Sequence, residues 1–173
     1  MLLTSYEDNF AHQLLPPLNQ QPEYVLELPQ FQQADYLNCA EKLLDKHIAA
    51  GNGEAICLRT EAGNWTYKQL FEKANQIASV LVDDMGLVSG NRVLLRSANN
   101  PMMVACWFGV VKAGGIAIST MPLLREKELN TLIDCAKISH AFCDERLADE
   151  LTNSTLKTML FDGLESKGSA LEN

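Results

Sequence analysis

An α/β fold with a mostly parallel sheet and flanking helices, preceded by an irregular N-terminal arm, is what this sequence predicts. Three features predict it. From residue 92 onward, short strand-type runs alternate with helical segments of about 10–15 residues, a spacing that requires crossover connections and parallel strands. The run Val110-Val111-Lys112-Ala113-Gly114-Gly115-Ile116-Ala117-Ile118-Ser119-Thr120-Met121-Pro122 reads as the end of a buried helix, a two-glycine stop and a strand leading to a proline. Across residues 1–37, Leu15-Pro16-Pro17, Gln20-Gln21-Pro22 and Leu28-Pro29 interrupt any regular pattern.

The elements follow in order. Residues 1–37 read as an extended arm, residues 38–162 as one α/β domain, and residues 163–173, with Ser166, Gly168 and Ser169, as a frayed tail. Asn38 is positioned to cap a helix with Glu41 at the box position, and Leu43, Leu44 and Ile48 give that helix an apolar face ended by Gly51. Residues 54–67 read as a hairpin: one arm at 55–59, a turn at 61–64 and a return through Trp65-Thr66. Thr66 caps the next helix with Gln69 at the box position. On that helix Tyr67, Leu70, Phe71, Ala74, Ile77, Ala78 and Leu81 share one face, and Gly86 stops it. Residues 92–96 form a buried-type strand, Asn100-Pro101 start an apolar helix over 102–113, and 115–119 form the next strand. The segment 125–137 is amphipathic through Leu129, Leu132, Ile133 and Ala136. A strand at 139–143, a short helix capped by Asp144 and a strand at 157–161 complete the series.

Composition narrows the function classes. A chain of 173 residues, 47% apolar and 21% charged, matches one soluble globular domain with a real core. A net charge of −8 without a Lys/Arg cluster argues against a nucleic-acid surface. The N-terminus has neither the basic nor the apolar region of a secretory signal. The longest apolar run, 102–111, is half of the ~20 residues that a membrane span needs. Asn64-Trp65-Thr66 and Asn153-Ser154-Thr155 are then chance glycosylation triplets. Five cysteines (39, 57, 106, 135 and 143) without CxxC spacing point to a reduced, cytoplasmic protein.

No motif by itself carries chemistry. Gly114-Gly115 belongs to neither GxxxxGK[ST] nor GxGxxG, so it reads as a helix stop. Asp83-Asp84 falls at a helix end, where a solvated face explains it better than Mg²⁺ binding. Cys135, His140 and Asp144 follow an order open to a nucleophile, base and orienter, but Cys135 is placed near the inner face of its helix and His140 opens a strand, so packing is favoured. His47 is placed to interact with its helix C-terminus, and His12 lies in the arm. Trp107-Phe108 reads as core before it reads as the lining of an acyl or aryl tunnel. No His, Cys, Asp or Glu set has metal-ligand spacing. The leading polar candidate is Arg125, in the loop after the strand ending near Pro122, where parallel sheets bind ligands.

Several motifs in order resemble the AMP-forming adenylating enzymes, the acyl- and aryl-CoA ligases. Trp65-Thr66-Tyr67-Lys68-Gln69-Leu70 is similar to their W-T-Y-x-x-L opening, and Asn91-Arg92-Val93 to their G-D-R-V strand, with Asn91 where Asp is usual. The segment from Asn99-Asn100-Pro101 to Thr120-Met121-Pro122 resembles N-x-P…A-x-x-G-x-x-K-A-G-x…P, and 134–143 resembles D-S-x-A-K-x-L-I. Tyr6-Glu7-Asp8-Asn9-Phe10, Leu37-Asn38-Cys39-Ala40, Ala105-Cys106-Trp107-Phe108 and Met121-Pro122-Leu123-Leu124-Arg125 look like the benzoate and 2-aminobenzoate CoA ligase branch.

The resemblance implies a parent that joins a small-molecule carboxylate to ATP, with Mg²⁺, releases pyrophosphate and passes the acyl adenylate to CoA. It also implies that the phosphate loop, the adenine motif, the ribose-binding Asp and the catalytic lysine lie beyond residue 173. These residues would then supply no catalytic group and no metal ligand, would hold no cofactor alone, and would contribute at most Arg125 to CoA. The rival expectation is a free-standing α/β binding module that pairs with a second copy as a homodimer. A receiver-like domain would need an acid after residues 92–96, where Ser97-Ala98 stand.

Overall fold

The computed structural model describes residues 5–23, 25–29, 32, 34, 36–61 and 63–163. The reading of Ser166, Gly168 and Ser169 as a frayed tail falls outside them. Six strands are present among these residues: β1 (Ile56–Arg59), β2 (Asn64–Thr66), β3 (Arg92–Arg96), β4 (Ile116–Thr120), β5 (Ile138–Asp144) and β6 (Lys157–Phe161). The helices are α1 (Phe10–Gln13), α2 (Lys46–Ala49), α3 (Tyr67–Ser79), α4 (Pro101–Lys112) and α5 (Glu126–Ala136).

Strands β3 to β6 form one parallel sheet in the order β4-β3-β5-β6, while β1 and β2 form a separate antiparallel hairpin. Strand β3 is buried along its whole length, so alternate side chains serve two cores. Val93 and Leu95 join Phe142 and Phe161 beneath α3 and α4, and Leu94 joins Ala141 and Cys143 beneath α5. The chain thus leaves β3 over one face and returns from β4 to β5 over the other.

Local rules fix the helices. Thr66 Oγ1 accepts from Gln69 N–H (3.2 Å) and Gln69 Oε1 accepts from Thr66 N–H (2.8 Å), a complete capping box for α3. Its Leu70, Ala74 and Ile77 are buried, and Leu81 continues the stripe into a π-helical turn, Val80–Asp84. Asn100 Oδ1 accepts from Met103 N–H (2.8 Å) with Pro101 in the first turn of α4. Helices α3 and α4 approach so closely that a Cβ on Gly109 would lie 2.4 Å from Ile77 Cγ2.

Several expectations need correction. Asn38 builds no box with Glu41: its Oδ1 accepts from Ala40 N–H (2.9 Å), and its Nδ2 donates to Val111 O (3.1 Å) at the end of α4. The turn that follows, Glu41–Asp45, is π-helical, which buries Leu44 and leaves Leu43 in solvent. His47 does stand in the last turn of α2, and its ring also stacks on Tyr67 with centroids 4.2 Å apart. Cys135 is exposed, on the outer side of α5.

The arm is pinned at the N-terminal end of the sheet. Asp8 N–H donates to Ser89 O (2.9 Å), and its carboxylate accepts from Arg92 and from Asn91 Nδ2 (2.8 Å). Arg92 also donates to Ala136 O (2.9 Å) and Lys137 O (2.8 Å), holding the left-handed end of α5, and covers the Phe10 ring.

Candidate functional site

Strands β3 and β5 are neighbours whose following segments leave over opposite faces of the sheet. Open α/β sheets bind ligands at the C-terminal ends of such a pair. Here that edge is built around two buried charges, Arg96 at the end of β3 and Asp144 at the end of β5.

Arg96 is 1% exposed, and among the described residues no carboxylate enters its bonding pattern. Its guanidinium donates to four carbonyls: Leu124 (2.9 Å), Pro122 (3.1 Å), Leu147 (3.2 Å) and Met121 (3.4 Å). The β4–α5 loop and the 3-10 helix Glu145–Leu151 are thereby fastened to one side chain.

Asp144 is fully buried. Its carboxylate accepts from Arg146 N–H (3.0 Å), Arg146 Nε (2.9 Å) and Nη2, and from Ser97 Oγ (3.4 Å). Burial pushes its pKa up, but the Arg146 and Ser97 bonds outweigh this and hold it below the ordinary carboxylate value. Asn100 Nδ2 donates to Ser97 Oγ (2.7 Å), which joins the start of α4 to the cluster. Gly163, just beyond β6, passes directly over the carboxylate: a Cβ there would lie 1.9 Å from Asp144 Oδ2.

Arg125 stands at the rim of the same edge, as expected for its loop, with its side chain 75% exposed. It is not unengaged. Its Nη1 donates to Glu150 Oε1 (2.7 Å), while Glu150 Oε2 accepts from Glu126 N–H (2.8 Å) and so caps α5. The bond from Arg125, then that from Glu126, lowers the Glu150 pKa.

The other candidates are dispersed. His140 lies in the first half of β5 and Asp144 at its end, with Cys135 exposed on α5, so they form no triad. His140 is buried between Ser139 Oγ (2.8 Å) and Met85 O (3.1 Å), and desolvation, aided by the Lys157 charge, lowers its pKa. Burial pushes the Cys143 thiol up to about 12 and Cys106 higher still, so neither is a ready nucleophile. Asp83 and Asp84 are exposed, away from the strand ends. Trp107 and Phe108 meet edge to face (5.1 Å); both pack against the core, and Trp107 also borders a groove shared with Asn38 and Tyr36. Among the described residues no three His, Cys, Asp or Glu side chains gather as a metal site.

Lys112, the lysine of the K-A-G stretch, read in the sequence without a role of its own, forms a half-buried ion pair. Its Nζ lies 2.7 Å from Asp45 Oδ1 and 2.7 Å from Asn75 Oδ1, above the Phe71 ring. A lysine in the last turn of an otherwise apolar helix was the available signal.

Residues 45–170, most of the chain, match the family described as AMP-binding enzyme. The chain belongs to that family. Among curated members it is 30% identical over 134 residues to a plipastatin synthase subunit of Bacillus subtilis (strain 168), covering 78% of this chain and 5% of that protein. It is 35% identical over 117 residues to a medium/long-chain-fatty-acid–CoA/3-oxocholest-4-en-26-oate–CoA ligase of Mycobacterium marinum, covering 68% and 21%. With the benzoate–CoA ligase of Thauera aromatica it shares 27% over 96 residues, covering 56% and 18%. The fold is that of the anthranilate CoA ligase AuaEII solved with anthranoyl-AMP (TM-score 0.67, 21% identity, 72% and 25% covered). It is equally that of a benzoate CoA ligase from Burkholderia xenovorans LB400 (TM-score 0.68, 18% identity, 75% and 27% covered). This AMP-binding family member spans about a fifth or less of these curated relatives and about a quarter of these structures.

Proposed function

We propose that these residues are the N-terminal subdomain of an ATP-dependent, AMP-forming carboxylate–CoA ligase whose acid is aromatic, such as benzoate or 2-aminobenzoate. The family match over residues 45–170 carries the reading. The likeness of the fold to an anthranilate and a benzoate CoA ligase, together with 27% identity to a third aryl ligase, supports the aromatic choice. In this reaction the carboxylate oxygen attacks the α-phosphorus of ATP and pyrophosphate leaves. The CoA thiol then displaces AMP from the acyl adenylate.

The described residues do not suit ATP or Mg²⁺ by themselves. Asp144 gives both oxygens to Arg146 rather than presenting them to a cation, and no glycine-rich turn with a lysine lies at the described strand ends. The 173-residue chain alone is therefore expected not to adenylate, and its part is to shape the sheet edge and to offer Arg125 to a CoA phosphate. The test is ATP–pyrophosphate exchange by the full-length gene product with benzoate, 2-aminobenzoate and a medium-chain fatty acid. Aromatic-dependent exchange is expected. Preference for the fatty acid would overturn the aromatic choice, and no exchange with any acid would overturn the ligase reading.

One observation favours a second reading, pairing with another copy. Strand β4 is an outer strand of the sheet, and Met121 and Leu123 after it are 61% and 77% exposed. Sedimentation of the 173-residue chain as a dimer would support it, and a monomer at all concentrations would remove it.

A further inference from the structure

The two buried charges of the ligand edge hold more than their own strands. Arg96 binds carbonyls of the β4–α5 loop (Met121, Pro122, Leu124) and of the segment after β5 (Leu147). Asp144 binds Ser97 after β3 and Arg146 after β5, lies against Gly163 after β6, and is linked through Ser97 to Asn100 at the start of α4. Between them, the two side chains touch the segment that follows every strand of the parallel sheet. At the N-terminal ends of the sheet, Arg92 is the buried cation among the described residues, and its contacts are the arm, Gly90 and the end of α5.

Burying an arginine and an aspartate is an inefficient way to stabilise a core, because desolvation offsets most of the attraction and apolar side chains of similar size often serve as well. What a multiply bonded buried charge does provide is fixed geometry, since each bond must be made or its partner is left unsatisfied. Apolar packing is already complete beneath this layer, where Val93, Leu94, Leu95, Ala141 and Phe142 are all fully buried. The charges sit one layer above, at the height where a ligand of an open α/β sheet would lie.

We infer that Arg96 and Asp144 are positioning residues for the ligase reaction, two struts that preset the loops of the substrate-binding edge without touching the reacting atoms. This rests on the ligase reading for its catalytic consequence, but the strut geometry stands on the hydrogen bonds alone. Displacing a loop by an ångström costs on the order of a hundredfold where the loop orients a reactant. Arg96→Lys keeps the charge but cannot reach four carbonyls in a planar fork, and Asp144→Asn keeps the shape but loses the charge held by Arg146.

The experiment has two arms. In the full-length protein, both variants are expected to raise KM for ATP or CoA at least tenfold, with a smaller fall in kcat. Leu129→Val, a core substitution beneath the same sheet, is the control and is expected to lower Tm without moving either KM. In the 173-residue chain, amide exchange at Leu124, whose N–H donates to Met121 O (3.2 Å), is expected to quicken in Arg96→Lys, and that at Arg146 in Asp144→Asn. Unchanged exchange at both amides would overturn the struts, whatever the kinetics. Altered exchange with KM values like those of the control would leave a structural role only and overturn the positioning role. A wild-type protein inactive with every acid would fail the ligase reading and remove the catalytic half, while the exchange arm would still decide the struts. Should either variant fail to fold, Ser97→Ala, which removes the 3.4 Å bond to Asp144 and the 2.7 Å bond from Asn100, takes its place in both arms, read at Arg146.

Discussion

Arg125 has a competitor already in place. Its guanidinium is bound to Glu150, and the same carboxylate caps α5, so any CoA phosphate that uses Arg125 must displace Glu150 or share the arginine with it. In the full-length protein Glu150→Gln is therefore expected to tighten CoA binding several-fold, and Arg125→Ala to raise KM for CoA with kcat little changed. Steady-state kinetics at varied CoA would show both, and an unchanged KM in both variants would remove Arg125 from the site. His140 makes a different kind of prediction. Buried, with Nε2 facing Met85 O beside Lys157 Nζ (2.8 Å from the same carbonyl), it resists protonation in the folded state. Its folded pKa lies below 6.5, so the unfolded chain takes up the proton first, and stability is full above 6.5 and falls as pH drops towards the folded value. Urea unfolding across that range should show the slope in the wild type and a flatter one in His140→Gln. Asp8 and Asp144 add a second loss below pH 3.8, because burial raises their pKa but their arginine partners lower it further.

The helices show which local signals carried into structure. The Thr66 box, the Asn100-Pro101 start and the stripe Leu70, Ala74, Ile77, Leu81 were all legible, because capping residues and apolar spacing act within a few residues of chain. At Asn38 the signal carried in part: its Oδ1 caps the helix start by accepting from Ala40 N–H, but no bond with Glu41 completes a box. Its Nδ2 is free to donate to the end of α4, 73 residues away, a contact that no local pattern shows. Cys135 was misplaced because it lies two positions after Ile133, roughly half a turn around the helix from the stripe Leu129, Ile133 that α5 buries. Two substitutions test the packing. Thr66→Ala is expected to lower stability by about 1 kcal/mol through loss of the cap. Gly109→Ala is expected to lower it by about 1–3 kcal/mol, since the added carbon meets Ile77 and α3 must shift. Thermal or denaturant unfolding measures both, and a neutral Gly109→Ala would mean that α3 and α4 are less closely packed than described.

At the scale of the whole molecule, the alternation of strand and helix after residue 92 was enough to predict a parallel sheet, and the order of motifs was enough to resemble the family. The candidate site was far less legible. Arg125 could be placed from the loop rule, whereas Arg96 and Asp144 read as a strand end and a helix cap, because their roles depend on loops up to 51 residues away. The paired acids Asp83-Asp84 lie exposed on the turn after α3, and the fold leaves Cys135 on α5 apart from His140 and Asp144 on β5. The proposed role of this domain is in carboxylate adenylation on an aromatic acid. ATP–pyrophosphate exchange by the full-length gene product, with and without benzoate or 2-aminobenzoate, decides that role. Exchange is expected to depend on the aromatic acid and to be absent from the 173-residue chain alone. No exchange with any carboxylate, or exchange by the short chain alone, would contradict it.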